Sequence, residues 1–246
     1  MNTEAVLSHH VSAELVGRQE LRNLPTPEAT DTHVPIPHAR VVEVLMKGLG
    51  NRHLNVVKDE YAVTPDGMRM FGALTLDVEK SGVRVALGLR NSHDKSFSLA
   101  LTVGFRVFVC DNLAFMGDFQ AVIRKKHTKN FDIEETMAVA LEKMQNGFEP
   151  IGNRIDAWKG FELSDGDAKG IIYDAFIGDQ LDAPKHLAKD VHRFYFDPQY
   201  DEFKARTLWS LSNAFTSAFK ELEPIPQFKA TAKLSGFLEQ RYSRKF

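Results

Sequence analysis

Cysteine is almost missing from this chain. Cys110 is the only one in 246 residues, which excludes an internal disulfide and suits a reducing compartment. No apolar run comes near the roughly 18 residues of a membrane helix. The first twenty residues, MNTEAVLSHHVSAELVGRQE, lack the basic start and long apolar centre of a secretory signal. These absences predict a cytoplasmic protein with no membrane partner. Several motifs are missing as well. Without HExxH, a CxxC pair or a complete EF-hand loop, no metal site is expected. Asp165-Gly166-Asp167 has the look of a calcium-loop fragment, but the closing glutamate is missing and a helix N-cap reads better. There is no GxxxxGK[ST], GxGxxG or GxSxG run. That argues against a nucleotide-hydrolysing motor, a Rossmann dehydrogenase and an α/β-hydrolase, and no cofactor is predicted.

What is present is an ordinary globular composition, 43% hydrophobic and 26% charged, in a chain long enough to bury a substantial core. Its net charge of −2 conceals an asymmetry. Between residues 84 and 130 eight basic residues face three acidic ones, a net +5 inside a chain whose remainder carries −7. A basic segment in an acidic protein points to a polyanion-facing surface or to a solvated edge.

Residues 1–36 are polar and punctuated by NLPTPEATDTHVPIP, and read as a flexible arm. Residues 37–130 read as a helix followed by antiparallel strands, and 131–246 as a helical region packed on the sheet in one folded unit. Val41, Val42, Leu45 and Leu49 set the first helix, ended near Gly48 and Gly50. LNVVKDEYAVT and MRMFGALTLDV flank the turn Pro65-Asp66-Gly67. Met137, Leu141, Met144, Phe148, Ile151 and Ile155 recur at helical spacing, with Gly147 and Pro150 able to split them into two pieces. Further helices are expected near 166–178, 184–195, 204–222 and 230–243. The aromatics Tyr195, Phe196, Tyr200, Phe203 and Trp209 read as packing rather than as a base-stacking platform. The predicted class is α+β: an N-terminal helix, a strongly bent antiparallel sheet of about four strands, and a helical C-terminal half.

The clearest signal is GLRNSHDKSFSLALTVGFRVFVCDN, residues 88–112. Val83, Val85, Leu87 and Leu89, then Phe97 and every second residue to Val109, alternate with a small, hydroxylic, arginine-bearing set. A period of two predicts antiparallel strands with one buried and one wetter face, and Gly104 suits a bulge or bend. Ser92 to Lys95 then form the hairpin tip. Cys110, Asp111 and Asn112 lie about 50 Å away at the far end of a straight strand, at about 3.3 Å per residue. They do not form one catalytic cluster within a subunit.

Three groups of residues carry possible chemistry. The tip can hold a His93-Asp94 acid–base pair or bind phosphate through Arg90, Ser92 and Lys95, though a polar turn needs the same residue types. Arg124, Lys125, Lys126, His127, Thr128 and Lys129 form the densest basic run, suited to salt-sensitive phosphate contacts or to a solvated linker. Cys110 reads as a small hydrophobe rather than a nucleophile.

ARVVEVL after a Pro-rich lead-in, EYAVTPDGMRMFGALTL, GLRNSHDKSFSLALTVGFRVFVCDNLAF, KKHTKN and the later TLWSLSNAFT (207–216) together resemble the phage/plasmid-like family of unknown function. The resemblance implies a mobile-element setting and no established activity. It adds weight to Arg90, Asn91, Ser92, His93, Cys110, Asn112, His127, Thr128, Lys129 and Asn213. The leading expectation is a nucleic-acid-binding protein of phage or plasmid type, binding or annealing single-stranded DNA. The helix–sheet–helix order is reminiscent of single-strand annealing recombinases, a fold-level analogy. Its contacts are Arg84, Arg90, Asn91, Ser92, Lys95, Arg106, Arg124, Lys125, Lys126 and Lys129, in a homo-oligomer. The alternatives are a metal-independent nuclease or phosphotransfer enzyme using His93, Asp94 or His127, and a protein-binding host-interaction or anti-defence protein.

Overall fold

In the computed structural model, residues 13–107, 113–115, 123–125, 131–146, 148–178, 180–181, 183–222 and 224–243 are described below. The chain begins with a short strand β1 (Glu14–Val16) and helix α1 (Arg18–Asn23), then α2 (His38–Gly50). Four long strands follow: β2 (Val56–Val63), β3 (Arg69–Lys80), β4 (Val83–Ser92) and β5 (Leu99–Val107). Two three-residue segments, β6 (Leu113–Phe115) and β7 (Ile123–Lys125), lead into the helical half. That half holds α3 (Ile133–Gln145), α4 (Phe148–Gly160), α5 (Asp165–Phe176), α6 (Leu187–Phe196), α7 (Leu208–Phe219) and α8 (Pro224–Ser243). The class is α+β, as the periodicity predicts.

Every neighbouring pair in the sheet is antiparallel, in the order β1-β2-β3-β4-β5-β6, with β7 also pairing β5. β6 lies against Gly104 to Arg106 and β7 against Leu99 to Leu101. The two short segments are therefore successive pieces of one edge alongside β5. The lead-in expected as an arm carries ordered elements. β1 adds itself to β2 with Glu14 opposite Val63, and Leu21 of α1 is buried.

Through the middle of the sheet, in β4, β5 and the first part of β3, neither face is wet, and this departs from the expectation of one wetter face. Val85, Leu87, Leu89, Leu101 and Phe105 are buried on one side. On the other, Ala73, Thr75, Ala86, Thr102 and Arg106 are buried as well. The reason is curvature. Glu60 of β2 and Arg106 of β5 are three strands apart, about 14 Å laterally in a flat sheet, yet their side chains meet at 2.6 Å. The sheet coils inward on this side, and small residues line its concave face because little room is left there. Gly104 belongs to that row, opposite Ala86, in unbroken register. The irregularities expected at Gly104 instead fall in β2 between Val56 and Lys58 and in β3 between Thr75 and Glu79.

Helices begin where side chains can take the free N–H groups. Asp132 accepts from Glu135, Ser164 from Asp167 and Thr207 from Ser210. α7 is the hub of the helical half, with every residue but Ser217 buried. Its Trp209 meets Phe105 of the sheet at 5.5 Å between ring centres. Tyr195, Phe203 and Trp209 all lie in the core. α2 and α3 approach so closely at Gly48 that a Cβ there would run into Leu141. Among the described residues, no helix is long and apolar enough to cross a membrane.

Candidate functional site

The tip of the β4–β5 hairpin is closed by its own side chains. Ser92 Oγ donates to the Phe97 carbonyl at 2.7 Å, and Asp94 Oδ1 accepts from the Ser96 N–H at 2.9 Å. Lys95 is exposed and takes the left-handed backbone, φ +64°. Asp94 also accepts from Arg69 Nε at 2.7 Å. Burial opposes its charge, but the bonds from Ser96 and the guanidinium of Arg69 hold the carboxyl below its ordinary range.

Beneath this tip lies a buried polar cluster joining four segments: the lead-in, the start of α2, the β2–β3 turn and the end of β4. Asn91 Nδ2 donates to the Ile36 carbonyl at 2.9 Å and to His38 Nδ1 at 2.8 Å. His38 Nε2 donates to the Gly67 carbonyl at 3.0 Å. His93 Nε2 donates to the same Ile36 carbonyl at 2.9 Å, while the His93 carbonyl accepts from His33 Nε2 at 3.0 Å. The rings of His38 and His93 stack in parallel, 3.9 Å between centres and 7° between planes. Gly67 sits at φ +72° in a turn pinned by Asp66, which accepts from Thr64 Oγ1 and the Met68 N–H. Only a residue tolerant of that conformation can aim its carbonyl at α2.

Carbonyls only accept, so each bond to one fixes a proton. His33, His38 and His93 all carry hydrogen on Nε2, and His38 Nδ1 presents a lone pair to the Asn91 amide. His93 Nδ1 is buried without a hydrogen-bond partner. Burial pushes the His93 imidazole below its ordinary value, helped by His33 and opposed by the bond to Ile36 and by Asp94.

The other residues singled out in the sequence fall into separate places. Asn91 and Ser92 are buried and bonded internally rather than presented to a ligand. His93 and Asp94 diverge, one inward to Ile36 and the other to Arg69. Arg90 is half-buried, with its guanidinium 5.1 Å from the centre of the Phe97 ring. At the opposite end of β4, Arg84 lies directly across from Arg106, with Glu79 across on its other side. Arg106 is buried against Glu60, which Lys58 also approaches at 3.5 Å. Six residues of strand, about 20 Å, separate Arg84 from Arg90. Arg124 and Lys125 take backbone positions opposite Ala100 and Leu99, beside the tip-proximal half of β5. Asn213 is buried in α7 and donates to the Trp209 carbonyl at 3.0 Å. Cys110, Asp111, Asn112, Lys126, His127, Thr128 and Lys129 lie outside the described residues. Among those described, no three His, Cys, Asp or Glu side chains form a set able to hold a metal ion.

A family model matches residues 30–236, which takes in the polar cluster, the long strands and most of the helical half. The chain belongs to the DUF932 family. That family is described as a domain of unknown function, which assigns no activity and does not reach the phage or plasmid setting. No curated protein and no solved structure matches the chain.

In this DUF932 member the sequence alone misses His33, His38 and Glu60. HVPIPH (33–38) holds the only usable hint, two histidines bracketing a proline-rich stretch just before a helix. Their partners are backbone carbonyls, which leave no mark in a sequence. Glu60 becomes significant only once the sheet has coiled.

Proposed function

We propose that this protein binds nucleic acid, with its contact surface at the tip end of the sheet. One observation carries this reading. β7 runs antiparallel to β5 from Ile123 opposite Leu101 to Lys125 opposite Leu99, so Arg124 and Lys125 take backbone positions at the end of the sheet that bears Arg90 and the exposed Lys95. Cations gathered at one end suit a phosphate backbone, and the half-buried Phe97 beside Arg90 suits an unpaired base. Arg106 is spoken for by Glu60, Asn91 by Ile36 and His38 and Ser92 by Phe97 of the tip, so the contact set is Arg90, Lys95, Arg124, Lys125, Lys126 and Lys129. Single-stranded DNA, self-association and a mobile-element setting are the finer parts of the reading. They rest on the resemblance and the analogy to annealing proteins.

The test is fluorescence anisotropy with labelled single- and double-stranded DNA across a salt series, using nuclease-treated protein. The native chain is expected to bind single strands more tightly, with steep salt dependence. Changing Arg124, Lys125, Lys126 and Lys129 together to Ala is expected to make the log–log salt slope shallower by about 3, at about 0.7 per lost phosphate contact. Arg84→Ala at the far end leaves the slope nearly unchanged. Retained binding with the native slope in the fourfold variant, or no binding by the native chain at low salt, defeats the proposal.

A further inference from the structure

The buried histidines beneath the tip are not used by the nucleic-acid reading, and their hydrogen bonds work with only one charge state. His38 donates from Nε2 and accepts at Nδ1. A proton added at Nδ1 would confront the Asn91 amide, itself a donor. Turning that amide over would bring Oδ1 to the new N–H but point it also at the Ile36 carbonyl, two acceptors face to face. Stacked 3.9 Å above His38, His93 can accept a proton only at a buried Nδ1 with no partner. Two imidazoliums at that separation repel strongly in a buried setting.

We propose that His38, His93 and Asn91 form an acid-opened clasp, which holds the lead-in 33–37 and the start of α2 on the hairpin tip when neutral and releases them on protonation. The charged and titratable groups facing it can be named for each packed element. The lead-in supplies His33, which reaches the His93 carbonyl. From the tip comes Asp94, which favours a charged His93 but is itself engaged by Arg69 of β3. The β2–β3 turn brings Asp66, occupied by Thr64 and Met68. α2 presents His38 itself, and β4 contributes the neutral Asn91. His93 Nδ1 is buried with no hydrogen-bond partner, so a proton gained there is poorly compensated. Burial of His93, which depresses its basicity, acts in the same direction.

The experiment is hydrogen–deuterium exchange on the full chain at pH 7.5 and 5.5, corrected for intrinsic exchange, followed through peptides covering 30–45. Protection there is expected to fall about tenfold per pH unit for each proton taken up on opening, with β3 to β5 changing less. A His38→Gln, His93→Phe double variant keeps the clasp shut in acid. Gln can donate to Gly67 and accept from Asn91, and Phe preserves the stack, but neither takes a proton. Unchanged protection in the native chain overturns the proposal, as does an equal loss in the double variant. Should the double variant not fold, nitrogen-15 NMR of native histidines decides. His38 Nδ1 must be unprotonated at pH 7.5, and its titration midpoint must coincide with the loss of protection. A protonated Nδ1 at pH 7.5, or a midpoint apart from that loss, overturns it.

Discussion

Glu60 shows how much a single residue can hold together here. Its carboxylate, on a side chain 7% exposed, meets Arg106, 6% exposed, at 2.6 Å, and Lys58 approaches from its own strand. Lys58 is only partly covered and can swing to water, but Arg106 has no such escape. Glu60→Ala therefore removes the carboxylate that a buried guanidinium meets and is expected to cost about 3–5 kcal/mol, the usual penalty for removing one partner of a buried pair. Urea unfolding measures it. A loss below about 1 kcal/mol would mean that the pair behaves as a surface bridge. This residue also marks a limit of sequence reading. Ala73, Ala86, Gly88, Thr102 and Gly104 look like a wet face because they are small or hydroxylic. They are buried because a concave surface admits nothing larger. Curvature is a property of four strands together, and no residue states it alone.

Among elements, α7 depends most on its start. Thr207 Oγ1 accepts from the Ser210 N–H at 3.2 Å, and its backbone bridges to Glu162. A buried helix has no water to take up a freed N–H, so Thr207→Ala is expected to cost about 1–2 kcal/mol, read as a lower thermal midpoint. Thr207→Ser should recover most of it, and an Ala variant as stable as the native chain would show the cap to be idle. The helices were largely legible. Met137, Leu141 and Met144 fall on α3 and Phe148, Ile151 and Ile155 on α4, the break coming where Gly147 and Pro150 predict one. α1 and β1 were not legible. Three residues of strand show no period, and six of helix show barely two turns. Both exist because β2 and α2 offer them surfaces. The candidate site divided in the same way. The tip could be read from RNSHDK, whereas the histidine cluster spans His33 to His93 and is bound through carbonyls.

For the molecule as a whole, pH links these pieces to stability. His93 is less basic when folded than in an unfolded chain, where histidine titrates near 6.5. The unfolded state therefore binds more protons as pH falls, and stability is full above about 6.5 and declines below it toward the folded value. Asp94, and Asp59 bonded to Arg18, are depressed carboxylates. Their contribution is present above about 4 and is lost in stronger acid. Denaturant midpoints are thus expected to drop in two stages, between pH 7 and 5.5 and again below about 4. The first stage should be reduced in His93→Phe alone. A flat midpoint from pH 7.5 to 5 would contradict the assignment of His93 as a buried neutral ring.

The contact between Phe105 and Trp209 has a consequence in time. A ribosome delivers the strands before the helix that covers them, and more than a hundred residues separate the two rings in the chain. At about 5–20 residues per second, Phe105 waits on the order of ten seconds for its partner. During that interval the newborn sheet offers an uncovered apolar surface near the exit tunnel. That surface is a natural contact for a nascent-chain chaperone until α7 arrives.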